Sequence, residues 1–377
     1  MLCNTTVEMI CNLNSDAITE ADKETIKEIH IWLDGVIGLT IVIIGMIMNT
    51  IATFILRTKE DMKHTMTYLL SFLFIINNIF LLTQMINILH YDFECRNLRL
   101  IIPYFVYPLE KTSVSATVFI IVCLAHQTYI LTWDPKEYKS TSASKDFRRK
   151  RTMLYVLPTL VIATIINIPR WFAFTLKFNK DKNEYKIRKT VLKKTFEYVV
   201  FYENFFLNII TVFIPITLLV FFKWSVYNFI RENQREIESN LQQLDKTKFN
   251  GNNRTKNNVI SRVQNRERTN MLIVIIFLFI SCHLPRCFSK FYDGFYTSFG
   301  FKVFESVQRL LLIIHASGTP IIYIRRNRKF WKHMHELFCC SDSKLSWGTT
   351  SVTSIGNASN NTETRAEIAK RDSMTKY

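Results

Sequence analysis

The chain has 377 residues, 48% of them apolar, and a formal net charge of +17 at neutral pH. This composition allows either two soluble domains or one bundle of helices in a membrane. The charge alone would suggest nucleic acid, but the basic residues gather in the segments between apolar runs, without zinc-ligand spacing or a strand-borne aromatic motif. This distribution argues against nucleic acid as a partner and in favour of a lipid bilayer.

Seven apolar runs are long enough to cross a bilayer as helices. Crossing the hydrocarbon takes roughly 20 mostly apolar residues, and a soluble protein rarely contains seven such runs. We therefore predict an all-α membrane protein, a seven-transmembrane helix bundle with a short amphipathic eighth helix at the membrane interface. The predicted spans are residues 31–56, 65–89, 101–131, 152–175, 198–230, 269–293 and 303–324.

The basic residues also predict the orientation of the bundle, because positively charged flanks stay in the cytoplasm. The segment before the first span is acidic, whereas the far end of that span carries Arg57, Lys59 and Lys63. We expect a multi-pass plasma-membrane protein with an extracellular N-terminus. The loop 177–194 is expected outside although it is rich in lysine. Because four already oriented helices precede this loop, we base the orientation on the first helix and the other connectors rather than on the charge of this loop.

The polar segments predict how the chain is organised around the bundle at 31–324. Residues 1–30 are expected outside, and 231–268 form a long cytoplasmic loop whose first part, 231–244, has helical apolar spacing that predicts an extension of the fifth helix. Residues 325–340 have one apolar face and one basic face, which is typical of a helix lying in the interface. The tail at 341–377 is rich in Ser, Thr, Asn and charge, and is expected to be disordered.

Several covalent modifications are compatible with this topology. Asn4 begins an external glycosylation sequon. Cys95 is expected on the oxidising side together with Cys3 and Cys11, so a disulfide from Cys95 to either one is chemically allowed. Two adjacent cysteines end the amphipathic segment and are either palmitoylated or unmodified thiols; they are Cys339 and Cys340. Metal-ligand spacing and cofactor motifs are absent from the sequence, so we expect neither a metal nor a cofactor.

Eight short motifs occur in a fixed order along the chain. They are Asn49 with the following LRTKEDM linker, LLSFLFIINNIFLLT in the second span, PYFVYPL at 103–109, LAHQTYILTWDP at 124–135, NIPRWF at 167–172, Pro215, CHLP at 282–285 and TPIIY at 319–323. In this order they resemble the rhodopsin-like G-protein-coupled receptors, most closely the invertebrate FMRFamide-type neuropeptide receptors. The resemblance covers residues 31–340 and implies a seven-helix receptor with an extracellular ligand and a heterotrimeric G protein as partner.

The chain departs from this family at positions that the family uses for activation. Gln127 and Thr128 stand where an acidic residue and an arginine normally precede the tyrosine, so the family's ionic latch to helix six is lost. The loss either raises basal signalling or weakens the G-protein interface. Asn77, Thr319 and His283 replace an aspartate, an asparagine and a tryptophan of the family. The candidate activation residues are Gln127, Thr128, Tyr129, Asn49, Asn77, Phe279, His283, Pro285, Thr319, Pro320 and Tyr323.

Two further departures concern the family's disulfide and its sodium site. Pro103 replaces the cysteine at the external start of helix three, and residues 176–197 contain no cysteine, so the usual bridge between that loop and helix three cannot form. A sodium ion in the bundle centre needs a carboxylate, and the corresponding positions carry none. They are Asn77, Thr117, His315 and Thr319. We therefore expect that sodium has no allosteric effect.

Glu110 is the carboxylate singled out for ligand binding. It lies about 27 Å above Thr128 at ~1.5 Å per helical residue, in the outer half of the bundle. A carboxylate within a span faces a cavity or a cation. It is therefore either a counter-charge for a cationic ligand or part of an internal pair with Lys111, Arg286 or Arg309.

Aromatic residues crowd the same outer end and suit an aromatic peptide side chain, although rings are also common at membrane interfaces. The candidate ligand-binding residues are Glu110, Tyr107, Tyr104, Tyr202, Phe206, Phe288, Tyr292 and Gln308. The basic loop 177–194 is either solvated or steers an acidic ligand, and it conflicts with a strongly basic peptide. His283 and His315 are expected to be neutral core groups rather than metal ligands.

The resemblance leads us to expect a receptor for a short amidated peptide. The alternatives are a chemoreceptor for a small molecule, or a receptor fold with weak or no G-protein coupling. A transporter is disfavoured because the chain lacks paired halves with helices interrupted at matching positions. An enzyme is disfavoured because the spans carry no clustered carboxylates and no nucleophile beside a base.

Overall fold

The computed structural model describes most of the predicted bundle. The described residues are 20–59, 65–91, 93, 96–133, 145–179, 184–244, 273–285 and 299–338. Several predicted features lie outside these residues: the sequon at Asn4, the cysteines Cys3, Cys11, Cys95, Cys339 and Cys340, the candidates Arg286, Phe288 and Tyr292, and the tail 341–377.

Helix α1 begins earlier than its apolar run. It is α-helical over Glu20–His30, passes through a wider π-helical stretch at Ile31–Gly38, and continues as Leu39–Thr58. The first of these stretches, EADKETIKEIH, is polar but consists mostly of good helix formers with acidic residues in its first turn. The polar residues therefore interrupt the apolar run but not the helix. Helix α1 begins 11 residues before the predicted start of the span at residue 31.

Helices α2 and α3 match the predicted spans closely. Helix α2 covers Thr65–Tyr91. Helix α3 covers Tyr107–Trp133 and is entered through a π-helical turn at Ile102–Val106 with a proline near its start. Pro suits this place because the first turn of a helix has backbone N–H groups without intrahelical partners.

Helix α4 ends before its predicted boundary. It covers Lys145–Ile165, and a short helix at Ile168–Trp171 comes after a turn. Pro169 explains the break, because a proline inside a continuing helix would remove a hydrogen bond and clash with the preceding turn. The predicted fourth span, 152–175, therefore extends beyond the end of α4.

A two-stranded antiparallel hairpin, which the sequence did not predict, comes after α4 and the short helix. Strand β1 is Phe174–Asn179 and strand β2 is Glu184–Lys189. Their register places Lys177 opposite Lys186 and Phe178 opposite Tyr185. Alternate residues of a strand share a face, so Phe174, Leu176 and Phe178 lie on one side of β1 and polar residues on the other. We call the end of the bundle that carries this hairpin the outer end, and the opposite end the inner end.

Helix α5 is the longest element among the described residues. It runs through Glu197–Phe206 and Ile209–Phe213, both π-helical, into an α-helix at Ile214–Leu244. The predicted continuation of this helix through residues 231–244 is confirmed. Of the predicted sixth span the structure describes the apolar helix Ile273–Pro285, here α6.

Helices α7 and α8 close the described chain. Helix α7 covers Phe299–Arg326, and α8, predicted from the amphipathic pattern, covers Arg328–Phe338. Asn327 separates them and accepts a hydrogen bond from the backbone N–H of Phe330 at 3.2 Å, which caps the first turn of α8. By internal contacts the chain divides into two units, Met1–His333 and Met334–Tyr377.

Five of the described helices are long and apolar enough to cross a membrane. They contain Asp22–Thr58, Thr65–Tyr91, Ile102–Trp133, Glu197–Phe229 and Phe299–Arg326. A core of aliphatic and aromatic side chains joins α1, α2, α3 and α7; among its members are Val42, Phe80, Leu81, Val114 and Ile313. This core fixes the four helices that carry the central polar residues.

Candidate ligand and activation sites

The buried amides of α1 and α2 meet α7 in a central polar network. The Nδ2 of Asn49 donates to the carbonyl of Ala316 at 3.1 Å, and the Nδ2 of Asn77 donates to the same carbonyl at 3.4 Å. Thr117 of α3 donates to the Oδ1 of Asn77 at 3.2 Å. These contacts are expected from the high cost of leaving an amide unpaired in an apolar bundle. Among these contacts, the donors and acceptors are amides, a hydroxyl and a backbone carbonyl, with no carboxylate.

Three aromatic side chains join α6 to α7 above this network. The ring centroids of Phe279 and His283 are 4.4 Å apart, and those of His283 and His315 are 5.0 Å apart in an edge-to-face arrangement. All three side chains are buried. Both histidines are therefore core groups in the ring cluster, as the sequence suggested, and Thr319 donates to the carbonyl of His315 at 2.7 Å.

The lower part of α7 connects the bundle to α8. Tyr323 is buried, and its ring lies edge-on to Phe74 of α2 at 6.2 Å and to Phe330 of α8 at 5.2 Å. Asn327 donates to the Tyr323 hydroxyl at 3.0 Å. Pro320, also predicted as an activation residue, is buried inside α7. Pro285 is the last described residue of α6.

The neutral motif at the inner end of α3 points into the bundle. Gln127 and Thr128 are both buried. Thr128 donates back to the carbonyl of Leu124 in its own helix at 2.8 Å. The side-chain amide of Gln127 makes no hydrogen bond within the described part of the chain. A hydroxyl satisfied by its own helix cannot replace an ionic latch to another helix.

An aromatic ladder, which sequence reasoning missed, holds the inner ends of α3 and α5 together. The rings of Tyr129 and Trp133 in α3 lie against Phe222 and Phe229 in α5, with centroid distances of 5.8 Å for Tyr129–Phe222 and 5.3 Å for Trp133–Phe229. His126 extends the ladder, 5.4 Å from Phe222. His126, Tyr129 and Trp133 are spaced three and four residues apart, and Phe222 and Phe229 are seven apart. Each set therefore lies on one face of its helix, which the sequence already indicates.

At the outer end, Glu110 is engaged inside the protein. Its carboxylate lies 2.5 Å from the Nζ of Lys111 and accepts a hydrogen bond from the amide of Asn87 in α2 at 3.2 Å. Lys111 and Arg309 are the internal partners considered from the sequence that the structure describes, and of these two Lys111 lies beside Glu110. Arg309 instead pairs with Asp34.

A second buried carboxylate, Glu203 of α5, was missed by sequence reasoning. Lys193, just before α5, forms an ion pair with it, and the Nε of Arg170 lies 3.8 Å from its Oε1. Tyr107 of α3 donates to the same oxygen at 3.4 Å. Arg170 is held in place by Asn167, whose Oδ1 accepts from the guanidinium at 2.8 Å. Glu203 thus connects α3, the short helix after α4, the segment after the hairpin and α5.

A third carboxylate connects α1 to α7. The Oδ2 of Asp34 lies 2.9 Å from Nη2 of Arg309 and 3.0 Å from Nδ1 of His30. Ser306 lies 2.6 Å from the same histidine nitrogen. Asp34 was also missed, although it is a carboxylate within a predicted span, which is the signal that identified Glu110.

The candidate aromatic residues do not all face the same region. Tyr107 is half-buried, and its ring lies edge-on to Phe174 of the hairpin at 4.7 Å. Tyr202 donates to the carbonyl of Ile166 at 2.6 Å and stacks on Phe206 at 6.2 Å. Tyr104 and Phe206 are exposed on the protein surface. Gln308 is buried in α7.

Lys193 has an altered ionisation because of its surroundings. Burial lowers the pKa of Lys193, the carboxylate of Glu203 raises it, and the positive charges of Arg170 and Lys111 lower it further. The net direction is downward from the ordinary value of 10.5. Arg170 and Lys111 therefore act on the same buried ammonium group.

Comparison with known proteins agrees with this architecture. Residues 48–323 match the family model described as "7 transmembrane receptor (rhodopsin family)". The chain is also similar to the "FMRFamide receptor" of Drosophila melanogaster, with 21% identity over 322 residues that cover 81% of this chain and 53% of that protein. It therefore spans about half the length of the relative. The family match reaches from α1 to the end of α7, and the chain belongs to the rhodopsin family of seven-transmembrane receptors, which makes it a multi-pass membrane protein and a receptor rather than an enzyme.

Proposed function

We propose that this receptor binds a short peptide at its outer end and transmits the signal to a heterotrimeric G protein at its inner end. The observation that carries the proposal is the family match over residues 48–323. The similarity to an FMRFamide receptor supports a peptide as the ligand class. The acidic N-terminal segment and the basic connectors support a plasma-membrane location with an extracellular N-terminus.

The contacts of α6 and α7 support retained coupling. The Phe279–His283–His315 cluster joins these helices, and Tyr323 links α7 to α2 and α8. Such packed side chains can switch between discrete arrangements. Because Gln127 and Thr128 leave α3 without an ionic latch, we expect basal activity in the absence of ligand.

Two measurements in transfected cells test this function. A library of amidated peptides is screened on cells that express the receptor with a promiscuous G protein, and one or more peptides should raise the second messenger. Without peptide, the basal second messenger should increase with the amount of receptor at the surface. A flat basal signal and no peptide response, despite surface expression, would support a receptor fold without coupling; a response to small molecules alone would support a chemoreceptor.

A further inference from the structure

Five charged residues form one cluster at the outer end. This outer charge cluster consists of Glu110, Lys111, Arg170, Lys193 and Glu203, and the pairs in it are Lys111 with Glu110 and both Arg170 and Lys193 with Glu203. Tyr107 joins its two halves. Its hydroxyl donates to Glu203 at 3.4 Å, while the Nζ of Lys111 lies 5.5 Å from the centre of its ring.

The outer charge cluster has an excess of positive charge. It contains three cations and two carboxylates. Two of the cations, Arg170 and Lys193, share the carboxylate of Glu203, and Lys111 pairs with Glu110. Of the other described carboxylates near the outer end, Asp34 is paired with Arg309, Glu305 is paired with Lys302, and Glu197 is exposed. A cationic ligand would have to displace a receptor cation from one of these carboxylates, whereas an anionic group would balance the excess charge.

A buried hydroxyl beside the cluster is available to such an anion. Tyr198 is 4% exposed, and its hydroxyl makes no hydrogen bond within the residues that the structure describes. The Nζ of Lys193 lies 5.4 Å from the centre of the Tyr198 ring. A buried donor without an acceptor is costly, and an oxygen of a carboxylate or sulfate would satisfy it.

The hairpin adds positive charge next to the cluster. Lys177 and Lys186 stand directly opposite each other on it, and Arg188 shares their face. Like charges in this position destabilise a strand pair. No ion pair of these three side chains occurs among the described residues. The ring centre of Phe174 in β1 lies 6.0 Å from the Nζ of Lys193, so the apolar face of the strand reaches the cluster and the basic face lies on the opposite side of the hairpin.

We infer that the ligand is an acidic peptide, which presents a carboxylate or sulfate group to the outer charge cluster and to the hydroxyl of Tyr198. This inference rests on the proposed peptide function and narrows it. Lys193 and Arg170 supply the charge, Tyr198 supplies the extra donor, and the lysines of the hairpin steer the peptide toward them.

Three fluorescent decapeptide pools with equal apolar content and amidated ends test the ligand class. One contains Asp and Glu, one contains sulfotyrosine, and one contains Lys and Arg. Binding to cells with surface-labelled receptor should occur with one or both acidic pools and not with the basic pool. The comparison between the two acidic pools tells carboxylate from sulfate.

Variants within the cluster separate recognition from folding. Lys193→Met should weaken binding of the preferred acidic pool roughly ten-fold or more, whereas Lys194→Met, at the exposed neighbouring lysine, should change it little. Glu203→Gln should have the opposite sign and strengthen binding, because it removes a competing carboxylate. A purely structural cluster would instead make both Lys193→Met and Glu203→Gln lose binding and surface expression.

Each contrary result has a definite meaning. Binding and activation by the basic pool alone would overturn the acidic-ligand inference and leave the peptide function standing. Equal losses in Lys193→Met and Lys194→Met would show diffuse surface attraction, which also overturns it. If no pool binds while a small molecule activates the receptor, the peptide function itself fails and the inference fails with it.

Discussion

Gly45 of α1 lies so close to Ser317 of α7 that a Cβ atom at residue 45 would be 2.0 Å from the Ser317 Oγ and 2.5 Å from its Cβ. The hydroxyl of Ser317 donates to the carbonyl of Ile41 at 3.2 Å, which fixes it in this place. Small residues allow helices in membranes to approach closely. The contact brings Asn49 of α1, one turn further on, within reach of the Ala316 carbonyl.

We expect Gly45→Ala to destabilise the receptor by roughly 1–3 kcal/mol, because overpacking forces α1 and α7 apart. Thermal unfolding of the purified receptor in detergent measures the change. Gly318→Ala is the matched control in α7, since its added Cβ would meet Leu278 at an ordinary 3.5 Å. Ser317→Gly should partly rescue Gly45→Ala. Equal unfolding temperatures for Gly45→Ala and Gly318→Ala would contradict the close contact.

The central network predicts that the receptor does not respond to sodium. The side chain of Asn77 is a neutral amide, which donates to the Ala316 carbonyl and accepts a hydrogen bond from Thr117. These neutral groups do not offset the free energy needed to remove water from a cation in the bundle. The unfolding temperature should therefore be the same in sodium chloride and in choline chloride. Asn77→Asp should introduce a sodium-specific increase, and such an increase in the unaltered receptor would show that this prediction is wrong.

A polar residue within an apolar span can be predicted from the sequence to face the interior of the bundle. An amide surrounded by aliphatic residues in a membrane helix needs a partner, and Asn49 and Asn77 are both buried and donate to the Ala316 carbonyl of α7. Asp34 and Glu203 are likewise polar residues within apolar spans, so their burial could have been predicted from their positions. Their partners could not be found in this way, since Arg309 is distant in sequence and Lys193 lies in a separate short helix at Val191–Lys194, and only the folded chain brings them close.

The hairpin shows a different limit of sequence reasoning. Its first residues, 174 and 175, were counted into the fourth span because a window of composition does not distinguish a period of two from a helical period. Phe174, Leu176 and Phe178 alternate with polar residues, which indicates a strand. The aromatic ladder of α3 and α5 was beyond prediction for another reason: each helix shows a ring face, but their register depends on packing.

The pair of Asp34 and Arg309 predicts unequal costs for removing its two members. The side chain of Asp34 is 8% exposed, whereas that of Arg309 is 43% exposed. Arg309→Met leaves a buried carboxylate with His30 as its remaining ionisable partner, and should cost roughly 2–4 kcal/mol. Asp34→Asn leaves a cation that water can reach, and should cost roughly 1 kcal/mol.

Thermal unfolding of both variants tests this asymmetry, with Lys302→Met as a control at an exposed ion pair of α7 that should change stability little. The double variant Asp34→Asn with Arg309→Met should be more stable than Arg309→Met alone, because it no longer buries an unpaired charge. A larger loss for Asp34→Asn than for Arg309→Met would rule out this account of the pair.

The ionisation of Lys193 predicts how binding of an acidic peptide depends on pH. Burial is the largest effect and lowers the pKa of Lys193 below its ordinary 10.5, although Glu203 opposes the shift; Arg170 and Lys111 reinforce it. A lysine loses its charge as pH rises through its pKa. The affinity for the acidic peptide pool should therefore fall with rising pH, and the fall should begin below the pH at which an exposed lysine titrates.

Lys193→Arg separates this effect from other alkaline titrations. An arginine keeps its charge throughout the accessible range because its pKa exceeds about 12. The variant should retain binding at neutral pH and lose most of the alkaline fall, whereas Lys194→Arg should behave like the unaltered receptor. Equilibrium binding of the acidic peptide pool from neutral to alkaline pH makes the comparison. If Lys193→Arg declines together with the unaltered receptor, the group that titrates is not Lys193.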